Sequence, residues 1–375
     1  MIVLGIESSC DETAAAIVND KKEILGQCLL TQLDEHKPFG GVVPEIAARS
    51  HLEHIDEIIE HTFKNAGLKP QDVDAIAAAS GPGLILVGDY RMKLHAGPGL
   101  IGGVVVGVMA AKAMCLALNK PFVAVNHLEG HALAARLTGN VCYPYLLLLV
   151  SGGHCQILIV KGVGNFERLG TTIDDAAGEA FDKVSKMLGL GYPGGPIIEK
   201  LAAVGNSRRF VLPKPLFNSG DCNLSFSGLK TAVRKIIESY SPDGILEHAI
   251  LPEQDVADIC AGFQFTVTEC LCQKLEKAIA YFKQHYPEGK DLVVSGGVAA
   301  NTFLRTRLEL LAQARGMEFS APPIRFCTDN GVMIAWAGLE RFQNGYTNEL
   351  DFKPRPRWPL DENAPKAAGA GGVKA

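Results

Sequence analysis

The chain opens with two short apolar runs, Ile2–Ile6 and Thr13–Val18, separated by the polar stretch Glu7-Ser8-Ser9-Cys10-Asp11-Glu12. Runs of strand length about a polar turn predict a β-hairpin. Over residues 46–66 the period changes, and Ile55, Ile58, Ile59 and Phe63 fall on one face of a helix. Val73–Ala79 reads as a buried strand, Val104–Leu118 as an apolar helix rich in small residues, and Phe122–Val125 as another strand. The pattern then begins again. Tyr145–Val150 leads through Ser151-Gly152-Gly153-His154 into Gln156–Val160, a second hairpin. Helical segments follow over 173–188 and 255–284, and Leu292–Val294 enters Ser295-Gly296-Gly297 as a third strand.

This recurrence predicts an internally duplicated βββα-type unit and an α/β fold in two domains, 1–140 and 141–345. A chain of 375 residues is long for one core, which agrees with two. Residues 346–362 form a C-terminal arm, and the Ala-, Gly-, Lys- and Pro-rich tail 363–375 is expected to be disordered. One irregularity interrupts domain I. Gly81-Pro82-Gly83-Leu84-Ile85 recurs as Gly97-Pro98-Gly99-Leu100-Ile101, with a more polar stretch between. Residues 82–97 are therefore expected to bulge outward as an inserted surface loop.

The paired histidines of Asn126-His127-Leu128-Glu129-Gly130-His131 carry the clearest chemistry. Four residues apart on a helix, two imidazoles share one face and can bind one metal ion. The alternative is one core and one surface histidine. Neither His-Glu-x-x-His nor His-x-x-Glu-His is matched, so a third ligand must come from afar. Asp329 is a candidate, although Thr328-Asp329-Asn330 also reads as the cap of a helix over 331–342.

Val150-Ser151-Gly152-Gly153 and Val294-Ser295-Gly296-Gly297 are two copies of one device, an apolar strand delivering a glycine turn whose bare backbone admits a phosphate. Either is also an ordinary turn. Gly189-Leu190-Gly191-Tyr192-Pro193-Gly194-Gly195-Pro196 reads as a helix end or as a loop packed on a sugar or base. Asp182 is a helix-surface ion-pair residue or a ribose or phosphate contact, and Asn301 is a helix N-cap or a ligand contact. The carboxylates and hydroxyls of Glu7–Glu12 are solvated turn residues or groups that place water and move protons.

A net charge of −5 excludes a global field that attracts nucleic acid or anionic membrane, so any such contact is local or shared with a partner. Lys353-Pro354-Arg355-Pro356-Arg357-Trp358-Pro359 suits RNA-backbone contact or a surface-lying arm. The ten cysteines include no Cys-x-x-Cys and read as small core residues in a reducing compartment. No targeting pattern precedes the first strand, and no uncharged apolar run approaches about 18 residues. A cytoplasmic protein with no membrane contact is expected.

Together, Gly5-Ile6-Glu7-Ser8-Ser9-Cys10-Asp11-Glu12-Thr13, His127–His131, Leu149–His154, Tyr192–Pro196, Ser225-Phe226-Ser227-Gly228-Leu229-Lys230 and Ser295–Asn301 resemble the tRNA threonylcarbamoyladenosine transferase family of the bacterial TsaD type, also called glycoprotease or O-sialoglycoprotein endopeptidase. The likeness covers residues 1 to about 360. It implies the actin-like ATPase and sugar-kinase-like duplicated fold with a central cleft. It implies transfer of threonylcarbamoyl from threonylcarbamoyl-AMP to the exocyclic amine of the adenosine next to the anticodon, in tRNAs reading codons that begin with A. Implied partners are tRNA, a shorter paralogue (TsaB), an ATPase (TsaE) and a separate enzyme that makes the adenylate. Carried over by position, the metal ligands are His127, His131 and Asp329, holding one divalent ion, Fe(II) or else Zn(II). The adenylate positions are Leu149, Val150, Ser151, Gly152, Gly153, Asp182, Gly195 and Asn301. Glu199 falls where many relatives carry Asp and is left out. Asp11 or Glu12 is the expected proton acceptor. Two rival readings are a metal-dependent glycoprotein endopeptidase, with Glu129 as base, and a non-catalytic scaffold that has lost its metal ligands. The second copy of Gly-Pro-Gly-Leu-Ile departs from the family pattern.

Overall fold

The computed structural model describes residues 1–39, 41–84 and 99–365. The first half contains β1 (Ile2–Glu7), β2 (Glu12–Asn19), β3 (Ile24–Thr31), α1 (Leu33–His36), α2 (Pro44–Ala66), β4 (Ala75–Ala79), β5 (Gly83–Leu84), β6 (Gly99–Leu100), α3 (Ile101–Leu118), β7 (Phe122–Val125) and α4 (His127–Thr138). The second contains β8 (Tyr145–Val150), β9 (Cys155–Gly162), β10 (Asn165–Thr171), α5 (Ala177–Met187), α6 (Gly194–Ala202), α7 (Ser227–Glu238), α8 (Glu253–His285), β11 (Asp291–Ser295), α9 (Thr302–Ala314), β12 (Glu318–Ser320) and α10 (Gly331–Gln343).

Each half is built on a five-stranded sheet, ordered β3-β2-β1-β4-β7 in one and β10-β9-β8-β11-β12 in the other. In both, the first three strands are antiparallel neighbours and the last two join parallel. The duplication seen in the hydrophobic pattern is thus a duplication of topology. The two predicted hairpins form, with Gly5 opposite Ala16 and Leu147 opposite Leu158. Strands β3, β10 and β12 and helices α6, α7 and α9 escape the sequence reading. β3 keeps one face exposed, β12 is three residues long, and α6 begins Gly-Gly-Pro, a turn signal.

Apolar burial divides three ways. One core lies within the second half, one lies between the first sheet and α2 and α3, and a third joins both sheets through α4 and α10. Although it comes late in the chain, α10 packs against the first sheet. The approach is very close: a Cβ on Gly5 would lie 2.1 Å from the Ala335 nitrogen. That return decides the site, because it carries residue 329 back to α4.

Helix α3 is the most apolar helix among the described residues that is long enough to be compared with a membrane span. It is long and apolar enough to span a membrane by length and composition, with Lys112 as an interruption. Here Gly103, Val104, Gly107, Val108, Ala111 and Cys115 are buried. Gly103 is required because a Cβ there would lie 2.2 Å from the Ser8 carbonyl oxygen. All ten cysteines are free. Of the stretch 82–97 expected to bulge outward, residues 85–97 lie outside the described residues, as does the tail from 366.

Candidate active site

Strand β7 ends at Val125, and Asn126 starts α4 by accepting the Leu128 N–H on its Oδ1 at 2.9 Å. Such a cap fixes the first turn and so the direction of His127. His127 and His131 stack one turn apart, ring centroids 4.9 Å apart and edge to face. Asp329 meets them: its Oδ1 lies 3.0 Å from His131 Nε2 and 3.4 Å from His127 Nε2. The competing reading of residues 328–330 as a cap is resolved by Asn330, whose Oδ1 accepts the Met333 N–H. Asp329 is thereby left to the imidazoles.

A second layer supports His127. Glu7, at the end of β1, is fully buried, with Oε2 2.9 Å from His127 Nδ1 and Oε1 accepting the Ser9 N–H at 2.6 Å. Ser9 Oγ is also 2.9 Å from Nδ1. The stretch Glu7-Ser8-Ser9 is therefore buried, not solvated. A carboxylate on Nδ1 fixes the ring and turns Nε2 toward Asp329, an arrangement common behind metal-binding histidines. Burial alone pushes His127 down, but Asp329 and Glu7 override it and hold the imidazole well above its ordinary pKa. Burial pushes Asp329 up, and the two imidazoles reverse this, holding it well below the usual carboxylate range. His131 makes its polar contact through Nε2, and its buried Nδ1 has no partner.

The three ligand atoms lie within 4.8 Å of one another. Two imidazoles and one carboxylate form the donor set of catalytic zinc and non-haem iron centres, which keep positions open. The fit has two further signs. Among the described residues, the one polar contact of the buried His131 side chain points into the cluster, and several carboxylates stand around it.

His127 and Asp329 also line a cavity of 400 Å³ between the two halves, a size suited to a nucleotide-like ligand. The first half contributes Cys10, Asp11, Glu12, Thr31, Leu33 and Val42. The second contributes Ser151, Gly152, Gly153, Asp182, Tyr192, Gly195, Glu199, Gly297 and Asn301 among others. Of the residues singled out in the sequence, Leu149 and Val150 do not line it. Both are fully buried in β8, in two different cores, and their part is to deliver the turn that follows. Glu199, left out of the sequence set, does line the cavity. It also anchors α9 by accepting the Thr302 N–H at 2.8 Å.

Asn301 is the N-cap of α9, accepting the Leu304 N–H, and its amide donates to Gln264 Oε1. Ser295 Oγ donates to the His131 carbonyl, tying β11 to α4. In the Ser225–Lys230 motif, the two serines donate to Asp174 and Lys230 pairs with Asp175, which braces the approach to α5. Burial pushes Glu12 well up, reinforced by Asp11 and Asp329.

Asp182 is no surface ion-pair residue. Its Oδ1 accepts the Gly194 N–H at 2.8 Å, yet burial pushes it up to about 6. A raised carboxyl contributes stability that is fully present below its unfolded pKa near 3.9 and lost as pH rises through about 6. Asp182→Asn keeps the acceptor without the charge. It is expected to raise Tm by about 2–4 °C at pH 8 and by little at pH 4. Calorimetric melting across that range checks this, and a pH-independent difference would refute the burial argument.

Glu129 bears on the peptidase reading. It is buried, paired with Arg341 at 2.8 Å and bonded to the Gly164 N–H at 2.8 Å, and it is not among the cavity's lining residues. It is not placed to act as a base there. The scaffold reading required lost ligands, whereas the full set is brought together.

A duplicated sheet pair with a nucleotide-sized cleft between its halves defines a protein of the actin-like ATPase and sugar-kinase-like fold. HypF from T. kodakarensis shares this fold, with a TM-score of 0.58 at 15% identity, over 92% of this chain and 48% of that one. The sequence model of the family described as tRNA N6-adenosine threonylcarbamoyltransferase matches residues 23–86 and 94–336. The chain is 56% identical over 378 residues to the tRNA N6-adenosine threonylcarbamoyltransferase of Rhodospirillum rubrum, covering 100% of this chain and 98% of the relative. It is 52% identical over 383 residues to that of Brucella suis, covering 100% of both. The chain belongs to the tRNA N6-adenosine threonylcarbamoyltransferase family, and it is an acyltransferase acting on tRNA. The residues that the family match passes over, 87–93, fall between the two Gly-Pro-Gly-Leu-Ile copies.

Proposed function

We propose that the cleft transfers threonylcarbamoyl from threonylcarbamoyl-AMP to the exocyclic amine of the adenosine beside the anticodon, in tRNAs whose codons begin with A. The observation that carries this is one cavity lined by a glycine turn and by His127 and Asp329 of the His-His-Asp cluster. The backbone N–H groups of Gly152 and Gly153 face the AMP phosphate and stabilise charge as AMP leaves, while the Ser151 N–H closes the turn by donating to the His154 carbonyl at 2.8 Å. Asp182, Gly195 and Asn301 line the part that takes its sugar and base. His127, His131 and Asp329 hold one divalent cation, Fe(II) or Zn(II) by their donor set. When bound, that ion supplies Lewis-acid polarisation.

The amine attacks the carbamoyl carbon, the bond from that carbon to the phosphate oxygen breaks, and AMP departs. The amine loses a proton in this step. Asp11 or Glu12, both lining the cavity, accepts it. Holding both substrates in one cleft supplies a proximity term of up to about 7–11 kcal/mol.

Leu52 on α2 and Val105, Met109 and Leu116 on α3 remain exposed, which supports a protein partner; we assign it as the shorter paralogue, TsaB. The ATPase TsaE and the adenylate-forming enzyme complete the assembly, in the cytoplasm with its tRNA. The test is a reconstituted reaction with a defined tRNA, synthetic donor and these partners, followed by nucleoside mass spectrometry. One threonylcarbamoyl-adenosine is expected per AMP released. Cleavage of a glycopeptide with no nucleoside product would overturn the reading.

A further inference from the structure

The arm beyond α10 takes no part in the chemistry above, yet it lies against the turns that hold His127. The Arg355 N–H donates to the Ser80 carbonyl at 2.8 Å, and the Gly83 N–H donates back to the Arg355 carbonyl at 3.2 Å. Asn126, the cap of the histidine helix, donates its amide to the Trp358 carbonyl at 2.8 Å. Gly81, between these anchors, accepts the His127 N–H at 2.8 Å. A single turn after β4 therefore touches both the arm and the first histidine.

Along the arm, exposure alternates. Phe352, Pro354, Pro356 and Trp358 are partly buried, whereas Lys353, Arg355 and Arg357 are exposed. Lys353 and Arg355 each precede a proline, which biases them toward extended backbone. In extended chain, alternate residues lie about 6 Å apart, the scale of successive phosphates along one nucleic-acid strand. Arg355 sits over the Trp358 and Phe352 rings, 4.7 and 5.3 Å from their centroids, so its guanidinium is braced. Its ion pair with the exposed Glu362 is long, at 3.7 Å, and Lys353 and Arg357 have no ion pair among the described residues. With a net charge of −5 on the chain, affinity for a polyanion needs a local array of this kind.

We propose that Lys353, Arg355 and Arg357 form a rail on which the sugar-phosphate backbone of the substrate tRNA rests beside the cleft. The proposal builds on the tRNA-transfer reading and names the surface that receives the acceptor. Contacts to phosphate position a nucleic acid without reading its sequence. The effect of losing them is therefore uniform across tRNAs.

The test titrates the full chain and its Lys353→Ala/Arg357→Ala variant with unmodified tRNA transcripts over a range of salt. Arg355 stays, because it braces the arm. Binding of the variant is expected to weaken about tenfold at physiological salt, and the slope of log K against log salt to fall by about 1.5–2. Transcripts with different anticodons respond alike, and Tm and donor-analogue affinity are unchanged. The charge-conserving Lys353→Arg/Arg357→Lys variant restores binding. An unchanged slope, or a loss that the charge-conserving variant shares, overturns the rail. A parent chain that transfers threonylcarbamoyl without salt-dependent tRNA binding also overturns it while sparing the transfer reading. A parent that binds tRNA but forms no product overturns the transfer reading alone.

Discussion

Replacing His131 with alanine is expected to remove the bound cation and to lower threonylcarbamoyl transfer on the order of a thousandfold, while the protein stays folded. His131 is the cleaner of the two histidines to remove. Its Nδ1 has no partner, so truncation orphans no second group behind the ring. Truncating His127 would also strip Glu7 and Ser9 of a buried contact and mix a folding defect into the result. The remaining pair, His127 and Asp329, is one ligand short of the set that holds a catalytic ion. Metal content by elemental mass spectrometry, steady-state transfer and thermal melting are measured on one preparation. Full activity in a metal-free His131→Ala protein would remove the ion from the mechanism.

Glu7→Gln is the second variant with a large expected effect, although Glu7 touches neither substrate nor ligand atoms directly. The carboxylate accepts from two directions, from the Ser9 N–H and from His127. An amide cannot do both. With its oxygen turned to His127, its NH₂ faces the Ser9 N–H, and the reverse orientation sets NH₂ against the ring nitrogen. One buried contact becomes donor against donor, costing about 1–3 kcal/mol. The ring loses the charge that orients it, so cation affinity is expected to fall about 10–100-fold. Isothermal metal titration reads this directly, and wild-type affinity would show that Glu7 serves packing alone. Glu7→Asp, shorter but charged, should recover part of the affinity if its carboxylate still reaches Nδ1.

Local pattern carried much of the molecule. The strand-turn-strand signals at both hairpins and the four-residue spacing of the histidines depend on residues near one another in sequence, and both are present. Where local signals compete, the sequence left two answers. Residues 328–330 offered both a cap and a ligand, and the structure assigns Asn330 to the first and Asp329 to the cluster. Asn301 offered the same choice; its side chain caps α9 while the residue lines the cavity. Leu149 and Val150 belonged to a motif whose turn reaches the cavity, but strand alternation buries their side chains in different cores.

The hydrophobic periods and the glycine turns prescribed two copies of one unit, because secondary structure answers to neighbours a few residues apart. Composition likewise restricted nucleic-acid contact to a local patch. Packing alone decided that α10 folds back onto the first sheet, setting Asp329 beside His127 and beside His131, 198 residues away. It also decided that Glu7 stands behind His127 and that Glu129, one turn position away, is locked to Arg341. Those contacts follow from the close fit of helix on sheet at Gly5 and from burial of charge beside its partner, neither of which has a sequence period.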